Sequence, residues 1–231
     1  MQTIRENSFI KHEIKDILMA DAALILAFAM DFAIQHSSGG YLHNLLYFLP
    51  ISALAVSLSF ILHELMHKFV AQHYGAIAGF RTSITGLLVT LATGAFGFLL
   101  GIPGATMIYT NTFTKRQNGI VSLAGPLTNF AVFGAFLAVD VIFGSSLGPY
   151  LQSAIGFTFF ISIFLAFFNM LPIYPLDGSK VLAWNKEVYI ATMGLIFILL
   201  VLFAGVSLIE IVYLIIIALF FSMFFRAGRM F

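Results

Sequence analysis

Residues 63–67 read His-Glu-Leu-Met-His, inside the longer run SLSFILHELMHKFVAQHYG from Ser57 to Gly75. On a helix the two histidines stand at i and i+4 on one face, so both imidazoles can reach a single ion, with Glu64 projecting beside them. His63, Glu64 and His67 form the H-E-x-x-H arrangement of zinc hydrolases, in which two neutral imidazoles hold the metal and the glutamate takes a proton from water. A catalytic zinc needs a third protein ligand and one position left open. The chain offers ten acidic residues, and choosing among them requires knowing what surrounds the motif.

The surroundings are lipid. The chain is 61% hydrophobic and only 9% charged, against about 25% charged residues in a soluble domain. Ionisable groups at membrane depth are costly and mark function. There are no cysteines, which excludes disulfides and a cysteine nucleophile. The N-terminal MQTIRENSFIKHEIKD is charged and lacks the apolar core of a signal peptide. No nucleic-acid partner is expected.

Six apolar runs are long enough to span, at 17–34, 44–66, 119–143, 150–171, 188–205 and 207–225. The expected fold class is therefore an all-α integral membrane protein with six transmembrane helices. Arg5, Lys11 and Lys15 precede the first run; Lys68, Arg81, Lys115 and Arg116 lie at the end of the second or beyond it. Lys180 and Lys186 separate the fourth from the fifth, and Arg226 and Arg229 follow the sixth. All eleven basic residues thus fall on one side, which the positive-inside rule makes cytoplasmic, with both termini on that face. The second run travels inward. The uncharged residues from Leu45 to Leu62 cover roughly 27 Å of helix before His63, so the motif sits in the cytoplasmic half of the bilayer, with Lys68 placed to snorkel to the interface.

A third ligand must reach the same depth. Glu6, Glu13 and Asp16 precede the first run, Asp140 and Glu210 lie toward the outer face, and Glu187 opens the fifth run. Asp21 and Asp31 stand about 80° apart around the first helix and are expected to pair in the bundle interior. Asp177 remains, in FFNMLPIYPLDGSKV. Pro172 and Pro175 break the helix there, and Asp177-Gly178 reads as a turn. Broken backbone at membrane depth is tolerated where protein buries it or where it lines a watery cavity. The fourth run also travels inward, so Asp177 ends near the depth of His63 and His67; an ordinary Pro-Asp-Gly turn is the alternative.

Of the residues between the second and third runs, the 43 from Ala76 to Asn118 are too apolar for a cytoplasmic loop and are interrupted by glycines. Their Thr, Val, Ile and Phe content favours strands. A seventh span would destroy the charge segregation, so a small re-entrant or membrane-edge β region is expected.

HELMH at the end of one span and NMLPIYPLDG closing a later one resemble the site-2 protease family of intramembrane zinc metalloproteases. Asn169, Pro172, Pro175, Leu176, Asp177 and Gly178 match its N-x-x-P-x-x-P-L-D-G segment in order and spacing, and AGPLTNF (Ala124 to Phe130) resembles its Gly-Pro-x-x-Asn element. The resemblance covers about residues 60–180. It implies that His63, His67 and Asp177 hold one Zn2+ per chain, that Glu64 activates the water, and that Asn169 positions the scissile carbonyl or its oxyanion. A helix-end amide that satisfies freed backbone groups is the other reading of Asn169. Gly125, Pro126 and Asn129 would permit close helix packing. The length suits one domain over 1–231 with a catalytic core of about 44–182, and the expected absence of PDZ or CBS domains is a departure from many relatives. Substrates would be transmembrane segments of other membrane proteins, cleaved in the lipid bilayer and held extended by strand pairing along residues 80–100.

Three alternatives stand beside this reading. A membrane zincin of CAAX or heat-shock type would take a glutamate as third ligand, making Glu187 the candidate. Two histidines and a carboxylate also describe a non-haem iron triad, which leaves Glu64 without a task. A non-enzymatic transporter or scaffold would use Asp21, Asp31 and the histidines as an ion path.

Overall fold

The computed structural model describes residues 2–203 except 37, 98, 100, 102, 111 and 112, together with 209, 212 and 216; side chains are described from residue 12 onward. Five helical stretches are long and apolar enough to cross a membrane: His12–Gln35, Tyr41–His73, Lys115–Ser146, Pro149–Asn169 and Lys186–Phe203. They coincide with the first five expected spans. The sixth, 207–225, lies outside the described residues apart from 209, 212 and 216. Lipid offers the backbone no partners, so spanning segments satisfy their own hydrogen bonds as helices.

α1 (Gln2–Gln35) is followed by α2 (Tyr41–Val56), a π-helical turn (Ser57–Ile61) and α3 (Leu62–His73), the last three forming one continuous second span. The π-turn takes up one residue more than an α-turn, which rotates α3 by about 100° relative to an unbroken α-helix. Neighbouring helices hold it. Ser57 Oγ donates to Asp21 Oδ2 of α1 at 2.7 Å, and the hydroxyls of Ser59 and Ser162 lie 2.6 Å apart. The expected pairing of Asp21 with Asp31 does not occur: Asp31 Oδ2 accepts from Gln35 Nε2 at 2.9 Å. Ten residues of helix separate the two carboxylates by about 15 Å along the axis, too far for a shared contact.

The apolar connection contains both a sheet and a helix. β1 (Ile77–Thr82) and β2 (Gly104–Tyr109) pair antiparallel, from Ile77 opposite Tyr109 to Thr82 opposite Gly104. Between them, α4 occupies Ile84–Ala95, so the strand expected along 80–100 is corrected to two short strands flanking a helix. α4 is inside out by soluble standards. Gly86, Thr90, Thr93 and Gly94 are buried, while Ile84 and Leu88 are exposed. Thr90 and Thr93 donate their hydroxyls to the Gly86 and Val89 carbonyls, each at 2.8 Å, and Gly94 lies so close to Ala27 of α1 that a Cβ would come within 2.7 Å of the Ala27 Cα. At about 18 Å, α4 is too short to cross a hydrocarbon core of about 30 Å. Because Thr82 and Gly104 are paired, the chain returns to the point it left, and the small β region expected here is present.

α5 (Lys115–Phe143) starts at a capping box in which Thr114 and Gln117 satisfy each other's backbone N–H groups. A 3-10 turn (Gly144–Ser146) leads to α6 (Pro149–Asn169), then α7 (Asp177–Trp184) and α8 (Lys186–Phe203). α6 is shared by two cores. Ile161 and Leu165 pack with Leu24, Phe28, Val56, Phe60 and Phe80, whereas Ile163 and Phe167 pack with Phe133, Leu171, Val181 and Ile196. Anchored on both sides, α6 delivers its broken C-terminal end to α3.

Candidate metal centre

His63 and His67 are buried on the face of α3 that the π-turn directs toward α5. Their Nε2 atoms are 3.0 Å apart. Opposite them on α5 stands Gly125, where an added Cβ would lie 2.5 Å from both Nε2 atoms; the glycine keeps the space beside the two donors clear. The close packing expected of Gly125 is therefore observed, and its reason is the imidazole pair. His67 Nδ1 lies 2.7 Å from the Val121 carbonyl. A carbonyl only accepts, so Nδ1 carries a proton, which in the neutral ring leaves Nε2 its lone pair. His63 Nδ1 and both amide atoms of Asn129 are buried without a hydrogen-bond partner among the described residues.

Asp177 completes the cluster. Its Oδ2 is 3.3 Å from His63 Nε2 and 2.9 Å from His67 Nε2. The helix of α6 stops at Asn169, and residues 170–176 run irregularly through Pro172 and a cis Tyr174–Pro175 peptide before Asp177 opens α7. Asp177-Gly178 is thus the first turn of a short helix rather than the isolated turn expected. Gly178 is needed there because a Cβ would run into the Met170 carbonyl.

These donors suit a metal. With both imidazoles neutral, three lone-pair donors face one another at hydrogen-bond range with no proton to share, an arrangement that a cation at their centre resolves. Ligand atoms placed tetrahedrally at about 2.0–2.1 Å from zinc lie about 3.3 Å from each other, and the observed separations run from 2.9 to 3.3 Å. Among the described residues, His63, His67 and Asp177 are the group of His, Cys, Asp or Glu side chains gathered this closely. Glu187 is exposed at the start of α8 and takes no part.

Glu64 lies outside the donor set and faces the same cleft, which His67, Thr106, Asn169, Asp177 and Lys180 also line. Asn169 Nδ2 donates to the Leu165 carbonyl at 3.0 Å, the helix-end contact expected of its second reading, and the residue also lines the cleft. Two cleft residues escaped the sequence reading. Lys180 Nζ is 3.4 Å from Asp177 Oδ1, a contact that i,i+3 spacing on α7 would have signalled. Thr106 of β2 binds Glu64 from the far side of the loop, and no local pattern announces it. Behind the cleft, Lys68 is tied to Glu13 of α1 at 2.7 Å. Glu13 Oε1 also accepts from the Phe80 backbone at 3.2 Å, and Arg81 meets Asp16 at 3.3 Å.

Comparison with known proteins agrees with this geometry. Peptidase family M50 matches residues 138–201, the stretch that carries Asn169 and Asp177. Three curated relatives carry the name "Putative zinc metalloprotease". MJ0611 of Methanocaldococcus jannaschii is 45% identical over 146 residues, which cover 63% of this chain and 75% of that protein. YwhC of Bacillus subtilis is 30% identical over 164 residues, 62% of this chain and 72% of its own. The chain belongs to peptidase family M50. Rip2 of Mycobacterium tuberculosis is 29% identical over 140 residues, and the match spans about half of that protein, 52%. No solved structure matches the chain. As a site-2-type M50 member the chain is a zinc metalloprotease.

Proposed function

We propose that this M50 peptidase hydrolyses peptide bonds within transmembrane segments of other membrane proteins, in the cytoplasmic half of the bilayer, using one zinc per chain held by His63, His67 and Asp177. The observation that carries the reading is the convergence of these three donors at the ends of apolar helices, with Glu64 in the same cleft. When bound, zinc supplies a Lewis acid that polarises the scissile carbonyl and acidifies water. Glu64 accepts the proton of the attacking water and returns it to the leaving amine nitrogen. Asn169 spends one amide hydrogen on Leu165 and has a second to offer the oxygen of the scissile group. The segregated basic residues support six spans with both termini cytoplasmic, in a single domain over 1–231 whose catalytic core runs from about 44 to 182.

A helical substrate hides its amides in internal hydrogen bonds and must be drawn out before attack. β2 lines the cleft through Gly104, Thr106 and Ile108 and offers an extended segment a strand edge to join. The test is Glu64→Gln in purified protein, assayed on a transmembrane-peptide reporter alongside metal analysis. The variant keeps its zinc and loses proteolysis, because an amide cannot accept the proton; near-normal turnover would overturn the mechanism.

A further inference from the structure

The two-stranded sheet has two edges, and a glutamate caps each. Phe80 and Thr106 are register partners, yet neither N–H is turned toward the other strand. Phe80 N donates outward to Glu13 Oε1 at 3.2 Å. Thr106 N donates outward, on the opposite edge, to Glu64 Oε2 at 3.1 Å. This is a non-hydrogen-bonded pair of the antiparallel ladder, so by alternation Gly104 and Ile108 also turn their backbone groups toward the cleft. Glu13 is buried and bound to Lys68, which closes the β1 edge. The β2 edge is closed by Glu64 alone among the described contacts of Thr106, and that carboxylate is also the proton acceptor of the proposed reaction. Thr106 holds it a second time: its Oγ1 donates to the same Oε2 at 2.7 Å and lies 3.3 Å from the Glu64 carbonyl oxygen.

We propose that Thr106 is a positioning residue that couples substrate pairing to the base: its N–H and hydroxyl park Glu64 on the β2 edge, and an extended substrate joining that edge takes the N–H and releases the carboxylate toward the cleft. The inference rests on the reading of Glu64 as base and of β2 as the substrate strand. One backbone N–H serves one acceptor well, so a substrate carbonyl that pairs with Thr106 must displace Oε2. The hydroxyl remains bonded to Oε2 throughout and limits where the displaced carboxylate can go. Strand addition and assembly of the catalytic groups thereby become one event, and an unpaired cleft keeps its base engaged elsewhere.

The test uses the full-length zinc-loaded protein. Thr106→Val keeps the N–H and the strand preference but removes the hydroxyl; Thr106→Ser keeps both donors. Thr106→Val is expected to lower kcat about tenfold with KM and zinc content within twofold of the parent, and Thr106→Ser to restore kcat to within threefold. A readout independent of activity is amide hydrogen exchange over residues 104–109 without substrate. The Thr106 amide is expected to exchange at least tenfold faster in Glu64→Ala than in the parent, and a non-cleavable extended peptide should re-protect it in both. Unchanged kcat in Thr106→Val, zinc loss in that variant, failure of serine to rescue, or exchange indifferent to Glu64→Ala would each overturn the proposal. Failure of the base assignment is distinguishable, because it shows as turnover by Glu64→Gln while the exchange measurement still reports on the Thr106–Glu64 contact.

Discussion

Gly125→Ala places one methyl group against both imidazoles and is expected to strip the metal while leaving the fold in place. The added Cβ would lie 2.5 Å from His63 Nε2, 2.5 Å from His67 Nε2 and 2.6 Å from His63 Cε1. Ordinary contact begins at 3.4 Å, so the rings or the α5 backbone must withdraw by about 0.9 Å, against the roughly 0.2 Å within which metal–ligand distances are held. His67 cannot yield freely, because it is fixed through Nδ1 to Val121 of the same helix that carries the intruding methyl. Misorienting ligands by changing their supports costs on the order of 10- to 100-fold in metal affinity, and with both histidines displaced the upper end is expected. Gly134→Ala is the matched control on α5, since a Cβ there meets nothing within 4 Å and alanine favours the helix by roughly 0.5–1 kcal/mol. The assay is zinc retention under a graded chelator series, with thermal unfolding of both variants in detergent. If Gly125→Ala held zinc as tightly as Gly134→Ala, the metal would lie somewhere other than between His63 and His67.

Further outcomes follow from the same geometry. Asp177→Ala is expected to lose most of its zinc and all proteolysis, and Glu187→Ala neither; metal analysis that tracked Glu187 would refute the third-ligand assignment. Ile108→Pro removes an outward N–H from the β2 edge, so KM for a transmembrane substrate should rise several-fold at unchanged zinc content, whereas Met107→Pro, whose N–H belongs to the β1 side, should impair folding. Equal behaviour of the two variants in activity and thermal unfolding would refute the edge assignment. Substrates with Gly, Asn or Pro near the scissile bond should be cleaved faster than leucine-stiffened ones, because unsatisfied amides in lipid cost several kcal/mol each; a reporter series indifferent to helix propensity would remove substrate unwinding as a barrier.

Much of the site was legible because its signals are local. The i,i+4 histidines need only a helix to share a face, and Pro172 and Pro175 announce a broken span that ends at Asp177. The apolar connection was half legible. Its Thr, Val, Ile and Phe content reads as strand by propensity, but at 84–95 an apolar stretch with no further strand beside it bonds its backbone internally, and propensity gave way to helix. The small residues then turned inward against Ala27 rather than marking turns. Asp21 and Asp31 were recognisable as inward-facing, yet their partners depended on which neighbour lay at each depth, and Ser57 and Gln35 gave no sign of that role. The links from Thr106 to Glu64 and from Glu13 to Lys68 cross 42 and 55 residues of chain, and only the assembled helices bring them together.

The π-turn at Ser57–Ile61 works as a phase adjuster within the second span. On its N-terminal side α2 packs against α1 and α6, and on its C-terminal side α3 turns its histidine face to α5 and to Asp177 of α7. The two halves of one continuous helix thereby obey different neighbours, separated by a single residue of winding. Deleting one residue anywhere from 57 to 61 would leave composition and hydrophobic length almost untouched, yet regular winding would swing His63 and His67 about 100° away from Asp177. The motif is therefore not portable by itself: grafted onto a straight transmembrane helix at the same depth, HELMH would face the wrong neighbour unless the inserted residue, and a carboxylate such as Asp21 to hold it, travelled with it.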